Sequence, residues 1–183
     1  MDMTMCNSEQ KTGALETRDA LETIFSRKSV RKFLPQLVEK EKLELLLKAG
    51  MAAPSGKDVR PWELIVVDDR AALDGMAEAL PYAKMLKDAT MAIAVCGDMT
   101  KSAYWYVDCS AMAQNILLAA EALGLGAVWT AAYPYQDRMD VVRKYIGLPE
   151  NVETLCVIPI GYPAKPYTPR DKWDETKVHY NKW

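Results

Sequence analysis

Between Ser26 and Phe33 the chain reads Ser26-Arg27-Lys28-Ser29-Val30-Arg31-Lys32-Phe33, with four cations and two hydroxyls inside seven residues. In an extended segment alternate residues share a side, so Arg27, Ser29 and Arg31 would face one way. Two guanidinium forks and a hydroxyl make a phosphate socket; a solvated basic loop accounts for the same run equally well. Near the other end, Pro169-Arg170-Asp171-Lys172-Trp173 sets two more cations at alternate positions. Arg170 and Lys172 could close over the same phosphate, or form an ordinary surface charge group. A third segment, Ala53-Pro54-Ser55-Gly56-Lys57-Asp58-Val59-Arg60-Pro61-Trp62, is rich in small residues. Such a loop lets backbone approach a flat ligand closely, and Asp58 could accept a hydrogen bond from a ring N–H. It could equally be a plain connection with Trp62 in the core.

Other chemistries are poorly supplied. His179 is the only histidine, too little for a multi-histidine metal site and a thin basis for a Ser-His-Asp triad. Cys6, Cys96, Cys109 and Cys156 are scattered without a Cys-x-x-Cys pair, which argues against a zinc knuckle or a disulfide framework. Gly124-Leu125-Gly126 precedes Ala127-Val128-Trp129-Thr130-Ala131. These glycines follow a helical pattern and precede a strand, the reverse of the dinucleotide fingerprint. A chain with so little acid–base equipment often leaves the difficult step to a cofactor.

The elements that must position these groups follow from periodicity. Arg18 to Ser26 has helical spacing at Ala20, Leu21, Ile24 and Phe25, and Glu39 to Met51 repeats it at Leu43, Leu46, Leu47 and Gly50. Glu63–Asp68 is predicted as a strand buried on both faces, Arg70–Leu80 as a helix and Thr90–Cys96 as a second strand. Asp108–Leu123 is apolar nearly all round, the mark of a buried or interfacial helix. Ala127–Ala132, Gln136–Ile146 and Thr154–Ile160 continue the alternation as strand, helix and strand. Pro163, Pro166 and Pro169 impose an extended tail. Helices alternating with apolar strands imply a sheet covered by helices.

The 183 residues carry 26% charged side chains and a net charge of −2, which suits one folded domain and argues against a nucleic-acid partner. Residues 1–17 are expected to be a flexible leader without a secretory pattern, and residues 18–183 a single domain. No apolar run is long enough for a membrane helix; with unpaired cysteines, a cytoplasmic setting is expected.

Taken in their order along the chain, these pieces resemble the FMN-dependent nitroreductase family, from about Leu21 to the C-terminus. The resemblance is carried by Arg27-Lys28-Ser29-Val30-Arg31, by Ala53-Pro54-Ser55-Gly56 through Pro61-Trp62, and by Lys84-Met85-Leu86-Lys87-Asp88-Ala89. Asp108 to Trp129, with Gln114-Asn115 and Leu123-Gly124-Leu125-Gly126, and the ending Arg170-Asp171-Lys172 through His179-Tyr180 and Trp183 complete it. It implies an α+β fold: a three-layer α-β-α sandwich with a mixed central sheet, helices on both faces, and an intertwined homodimer holding FMN at the interface. It further implies that Arg27, Lys28, Ser29 and Arg31, with Arg170 and Lys172, hold the cofactor's phosphate and ring edge. Lys84 would reach the pyrimidine side, and Trp129, Thr130 and Ala131 would line the ring. Pro54, Ser55, Gly56 and Asp58 would come from the other subunit. Asp58 stands where many family members have Asn, and an ionised carboxylate cannot donate as an amide does; Lys57 is the neighbour placed to offset its charge.

The implied activity is reduction of nitroaromatics, quinones or similar electron-poor molecules at the expense of NADH or NADPH, in ping-pong order. Tyr104, Trp105 and Tyr133 are candidate substrate contacts, with Tyr106 and Tyr135 nearby; interface packing is the competing role for these aromatics. Two other activities remain open on the same scaffold: a flavoenzyme of different chemistry, such as a reductive dehalogenase or flavin-degrading enzyme, and a non-catalytic FMN-binding protein.

Overall fold

The computed structural model describes residues 18–183; the leader expected over residues 1–17, with Cys6, lies outside the described residues. Among the described residues there are five α-helices: α1 (Ala20–Ser26), α2 (Lys40–Met51), α3 (Arg70–Ala79), α4 (Trp105–Ala122) and α5 (Gln136–Ile146). The strands are β1 (Trp62–Val67), β2 (Met91–Asp98), β3 (Gly126–Ala127), β4 (Thr130–Ala131) and β5 (Val152–Gly161). The sheet order is β1-β2-β5-β3, with β4 also on β5.

Side-chain alternation on the central strands builds a core on each face of the sheet. Ile93, Val95, Ile158 and Ile160 point toward α2 and α4, where they meet Leu46, Met112 and Ile116. Ala92, Ala94, Cys96 and Val157 point the other way, toward Leu73 and Met76 of α3 and Met139 and Val142 of α5. This is the expected three-layer α-β-α arrangement. Each fully buried aliphatic side chain contributes about 1.5–3 kcal/mol, and these strands are buried throughout.

Local chemistry sets the helix ends. Asp19 caps α1 by accepting from the Leu21 and Glu22 N–H groups, and Asp69 caps α3 through the Ala72 N–H. Gly147 closes α5 in the left-handed region at φ 67°. After α4, Gly124 adopts φ 71°, and the Leu125 N–H donates back to the Ala120 carbonyl over 2.8 Å.

Two elements differ from the sequence expectation. The strand expected over Ala127–Ala132 is split into β3 and β4, which pair with Gly161–Ile160 and Val157–Cys156 of β5. In that register Pro159, which has no N–H to donate, falls opposite Val128, and the ladder opens there. β1 is not buried on both faces: Leu64, Ile65 and Val66 are only partly covered, because β1 is the sheet's edge strand. The ladders between named strands are antiparallel. Parallel pairing enters through the Ser29–Ala127 bridge, which makes the sheet mixed.

Candidate functional site

The basic segment after α1 is held extended by both of its neighbours. The Val30 N–H donates to the Ala127 carbonyl at 3.0 Å, the Leu34 N–H to Tyr162 at 2.8 Å, and the Ala164 N–H to Lys32 at 2.9 Å. Val30 and Phe33 are buried, so the intervening side chains are directed away from the core. Gly126 makes the approach possible: a Cβ there would lie 2.6–2.9 Å from three side-chain atoms of Val30. The same docking brings the segment beside the tail, where the Tyr167 hydroxyl accepts from the Arg31 N–H at 3.4 Å.

The result is a cleft of about 370 Å³ lined by Arg27, Lys28, Ser29, Arg31, Tyr167, Thr168, Arg170 and Lys172. Cations separated by most of the chain therefore converge. Arg27, Arg31, Arg170 and Lys172 form no ion pair with any carboxylate among the described residues, so their charge stays available to a ligand. Lys28 is different. Its ammonium lies 2.8 Å from Glu121, which is buried in α4 and is also paired with Arg18 at 2.5 Å. Lys28 thus borders the cleft while its charge is committed to joining the basic segment to α4, a use that spacing alone could not reveal.

A second cleft of about 440 Å³ adjoins through Arg31 and is walled by Pro81, Tyr82, Lys84, Met85, Val128, Trp129, Thr130 and Ala131. Its floor is the gap between β3 and β4. Thr130 is buried with its hydroxyl donating to the Val157 carbonyl at 2.6 Å, so it offers the cleft backbone rather than a free hydroxyl. Lys84 is exposed, its ammonium 3.2 Å from the Glu78 carbonyl. A doubly charged phosphate suits the first cleft, and a flat ring with a polar edge suits the second.

Pro54, Ser55, Gly56 and Asp58 line neither cleft. Their loop is anchored elsewhere: the Gly56 N–H donates to Asp108 at 2.9 Å and the Arg60 N–H to the Ser55 hydroxyl at 3.0 Å. Lys57, Asp58 and Arg60 all have positive φ, at 54°, 55° and 51°, a strain that non-glycine residues accept mainly at functional sites. Asp58 is not offset by Lys57 as the sequence suggested. Arg60 binds it through two 2.7 Å hydrogen bonds, and the guanidinium holds its carboxyl below the usual range. The other Asp108 oxygen, Oδ2, is buried without a hydrogen-bond partner.

Among the expected substrate contacts, Tyr104 is 66% exposed while Trp105 is 6% exposed. Trp105 meets Tyr133 edge-on at 5.1 Å, and Tyr133 stacks on Tyr106 at 5.2 Å. The indole of Trp105 is therefore a core side chain in this fold, and none of these aromatics borders either cleft. Sequence reasoning missed Tyr82, Met85, Tyr167 and Thr168. The available signals were weak: Tyr82 stands two residues before Lys84, and Tyr167-Thr168 sits in the proline-spaced tail before Arg170.

The family pattern described as "Nitroreductase family" matches residues 24–83 and 74–162. A Methanothermobacter thermautotrophicus protein, provisionally named NADH dehydrogenase/NAD(P)H nitroreductase, is 44% identical over 93% of this chain and 91% of its own length. A crystal structure of a Bacteroides thetaiotaomicron protein with the same provisional name is 69% identical, covers 90% of this chain and 98% of that one, and superposes with a TM-score of 0.89. An FMN-dependent nitroreductase of Clostridium difficile is 33% identical over 89% of this chain and 99% of its own, with a TM-score of 0.85. On these matches the chain belongs to the nitroreductase family.

Proposed function

We propose that the protein is an FMN-dependent oxidoreductase that uses NADH or NADPH to reduce small electron-poor molecules such as nitroaromatics and quinones. The supporting observation is the convergence of Arg27, Arg31, Arg170 and Lys172, unpaired with carboxylates among the described residues, on a cleft that leads through Arg31 into a second, flatter one. FMN bound there would take a hydride from the reduced nicotinamide and pass the electrons to the oxidant.

The chain's own part is to bind and orient. The four cations hold the phosphate, and Ser29 adds a neutral hydroxyl. Arg31 and Lys84 put positive charge beside the ring edge, where it favours a reduced, anionic ring. Trp129, Thr130 and Ala131 would line the ring, and the backbone of this stretch would supply it with hydrogen-bonding groups. No side chain need act as acid or base.

The working form is a homodimer with FMN at the subunit interface. Two features support this: the strained Pro54–Asp58 loop lies outside the clefts of its own chain, and α1 exposes Leu21, Ile24 and Phe25. In the dimer that loop reaches the partner's flavin, and Tyr104 and Tyr133 flank the path of the substrate. The test is anaerobic: the purified yellow protein should bleach on adding NADH or NADPH and regain colour with a nitroaromatic or a quinone. Initial rates should give parallel double-reciprocal lines. Bound flavin that does not respond to either nucleotide would contradict the reading.

A further inference from the structure

Arg138 stands where a cation is least welcome. It is the third residue of α5, next to the helix's positive end, whereas Arg143 and Lys144 occupy the favoured last turn. Asp137 and Asp140 share the helix, yet Arg138 forms no ion pair among the described residues, and Asp140 accepts instead from Gln136 at 2.8 Å. Its guanidinium carbon lies 3.8 Å from the ring centre of Tyr135 and 5.4 Å from that of Tyr82. Its Nε is buried without a hydrogen-bond partner. Aromatic faces attract the cation without using its N–H edge. The group is thus clamped, and its terminal N–H groups, which are not buried, form no hydrogen bond among the described residues.

Arg138 also borders a small crevice whose other walls include Pro81, Tyr82, Thr130 and Ala131, four residues that wall the flatter cleft too. The chain therefore fixes a cation and the exposed ring of Tyr82 at one margin of the place where a flat ligand would stack. Lys84, on the same wall, adds to the positive field.

Resting on the flavin reading, we propose that Arg138, held by Tyr82 and Tyr135, binds an oxyanion carried by the flat ligand that enters this cleft. The oxyanion is either a carboxylate on the oxidant or a phosphate of the nicotinamide nucleotide. This makes Arg138 a specificity residue and biases the enzyme toward anionic aromatic ligands.

The test compares charged with neutral probes in the FMN-loaded protein and its R138L and R138K forms. With a carboxylate as the source, R138L lowers the kcat/KM ratio of 4-nitrobenzoate to nitrobenzene about tenfold, the scale of one charge-assisted hydrogen bond. The calorimetric affinity for benzoate relative to benzamide should fall in parallel, and R138K should restore part of both. With a nucleotide phosphate as the source, the ratio that falls is that of anaerobic bleaching by NADH against the neutral donor 1-benzyl-1,4-dihydronicotinamide. Both ratios unchanged in R138L would overturn the proposal. If the unaltered protein takes up no FMN, the flavin reading itself fails, and this proposal with it.

Discussion

Arg27 and Arg170 are separated by most of the chain yet line one cleft, and neither guanidinium pairs with a carboxylate among the described residues. A phosphate received there gains charge-assisted hydrogen bonds worth about 1.5–3 kcal/mol apiece. Single alanine replacements of Arg27, Arg31 or Arg170 should therefore weaken FMN binding about tenfold or more, read by titration of the apoprotein. Unchanged affinity in all three would contradict the site. The buried thiols make the opposite case. Burial pushes Cys96 and Cys109 up to about 12, and Cys156 well above its ordinary value. Because the folded values lie above the unfolded value of about 8.5, these thiols contribute stability that is full below that pH and declines as pH rises toward 12. Native protein treated with a thiol reagent at pH 8 should show Cys96, Cys109 and Cys156 unmodified when mapped by mass spectrometry. Rapid labelling of any of them would refute their burial.

At the scale of elements, the site depends on how closely the basic segment can lie against β3. Replacing Gly126 by alanine puts a Cβ within 2.9 Å of Val30. Overpacking of this kind costs about 1–3 kcal/mol, so the urea midpoint should fall and FMN affinity with it. A variant as stable as the parent would show that the contact is slack. The elements were legible in the sequence where one signal dominated. Apolar runs marked β2 and β5, all-round apolarity marked α4, and Gly147 marked the end of α5. The split between β3 and β4 was not legible, because it depends on Pro159, some thirty residues away. Residue types and spacing singled out Arg27, Ser29, Arg31 and the tail cations, which line one cleft together with Lys28. They could not foresee that Glu121 would take Lys28, that Arg60 would take Asp58, or that Trp105 would turn into the core. Glu121 and Tyr133 are brought to Lys28 and Trp105 only by tertiary structure, and Arg60, though two residues from Asp58, reaches it through a positive-φ turn that residue types do not announce.

At the scale of the whole molecule, the single chain leaves apolar surface uncovered. Leu21, Ile24 and Phe25 on α1 and Trp173, Tyr180 and Trp183 in the tail are all exposed, more than a lone small protein commonly presents. Sedimentation should therefore give a dimer, and L21D combined with F25D should give a monomer that loses FMN, since the partner's Pro54–Asp58 loop would no longer reach the ring. A wild-type monomer that binds FMN fully would overturn the interface reading. Cofactor capture depends on phosphate recognition by Arg27, Arg31, Arg170 and Lys172, and titration of the apoprotein with FMN and with riboflavin, which lacks the phosphate, measures it directly. FMN should bind at least about a hundredfold more tightly, in line with two or more charge-assisted contacts, whereas equal affinities would contradict the account.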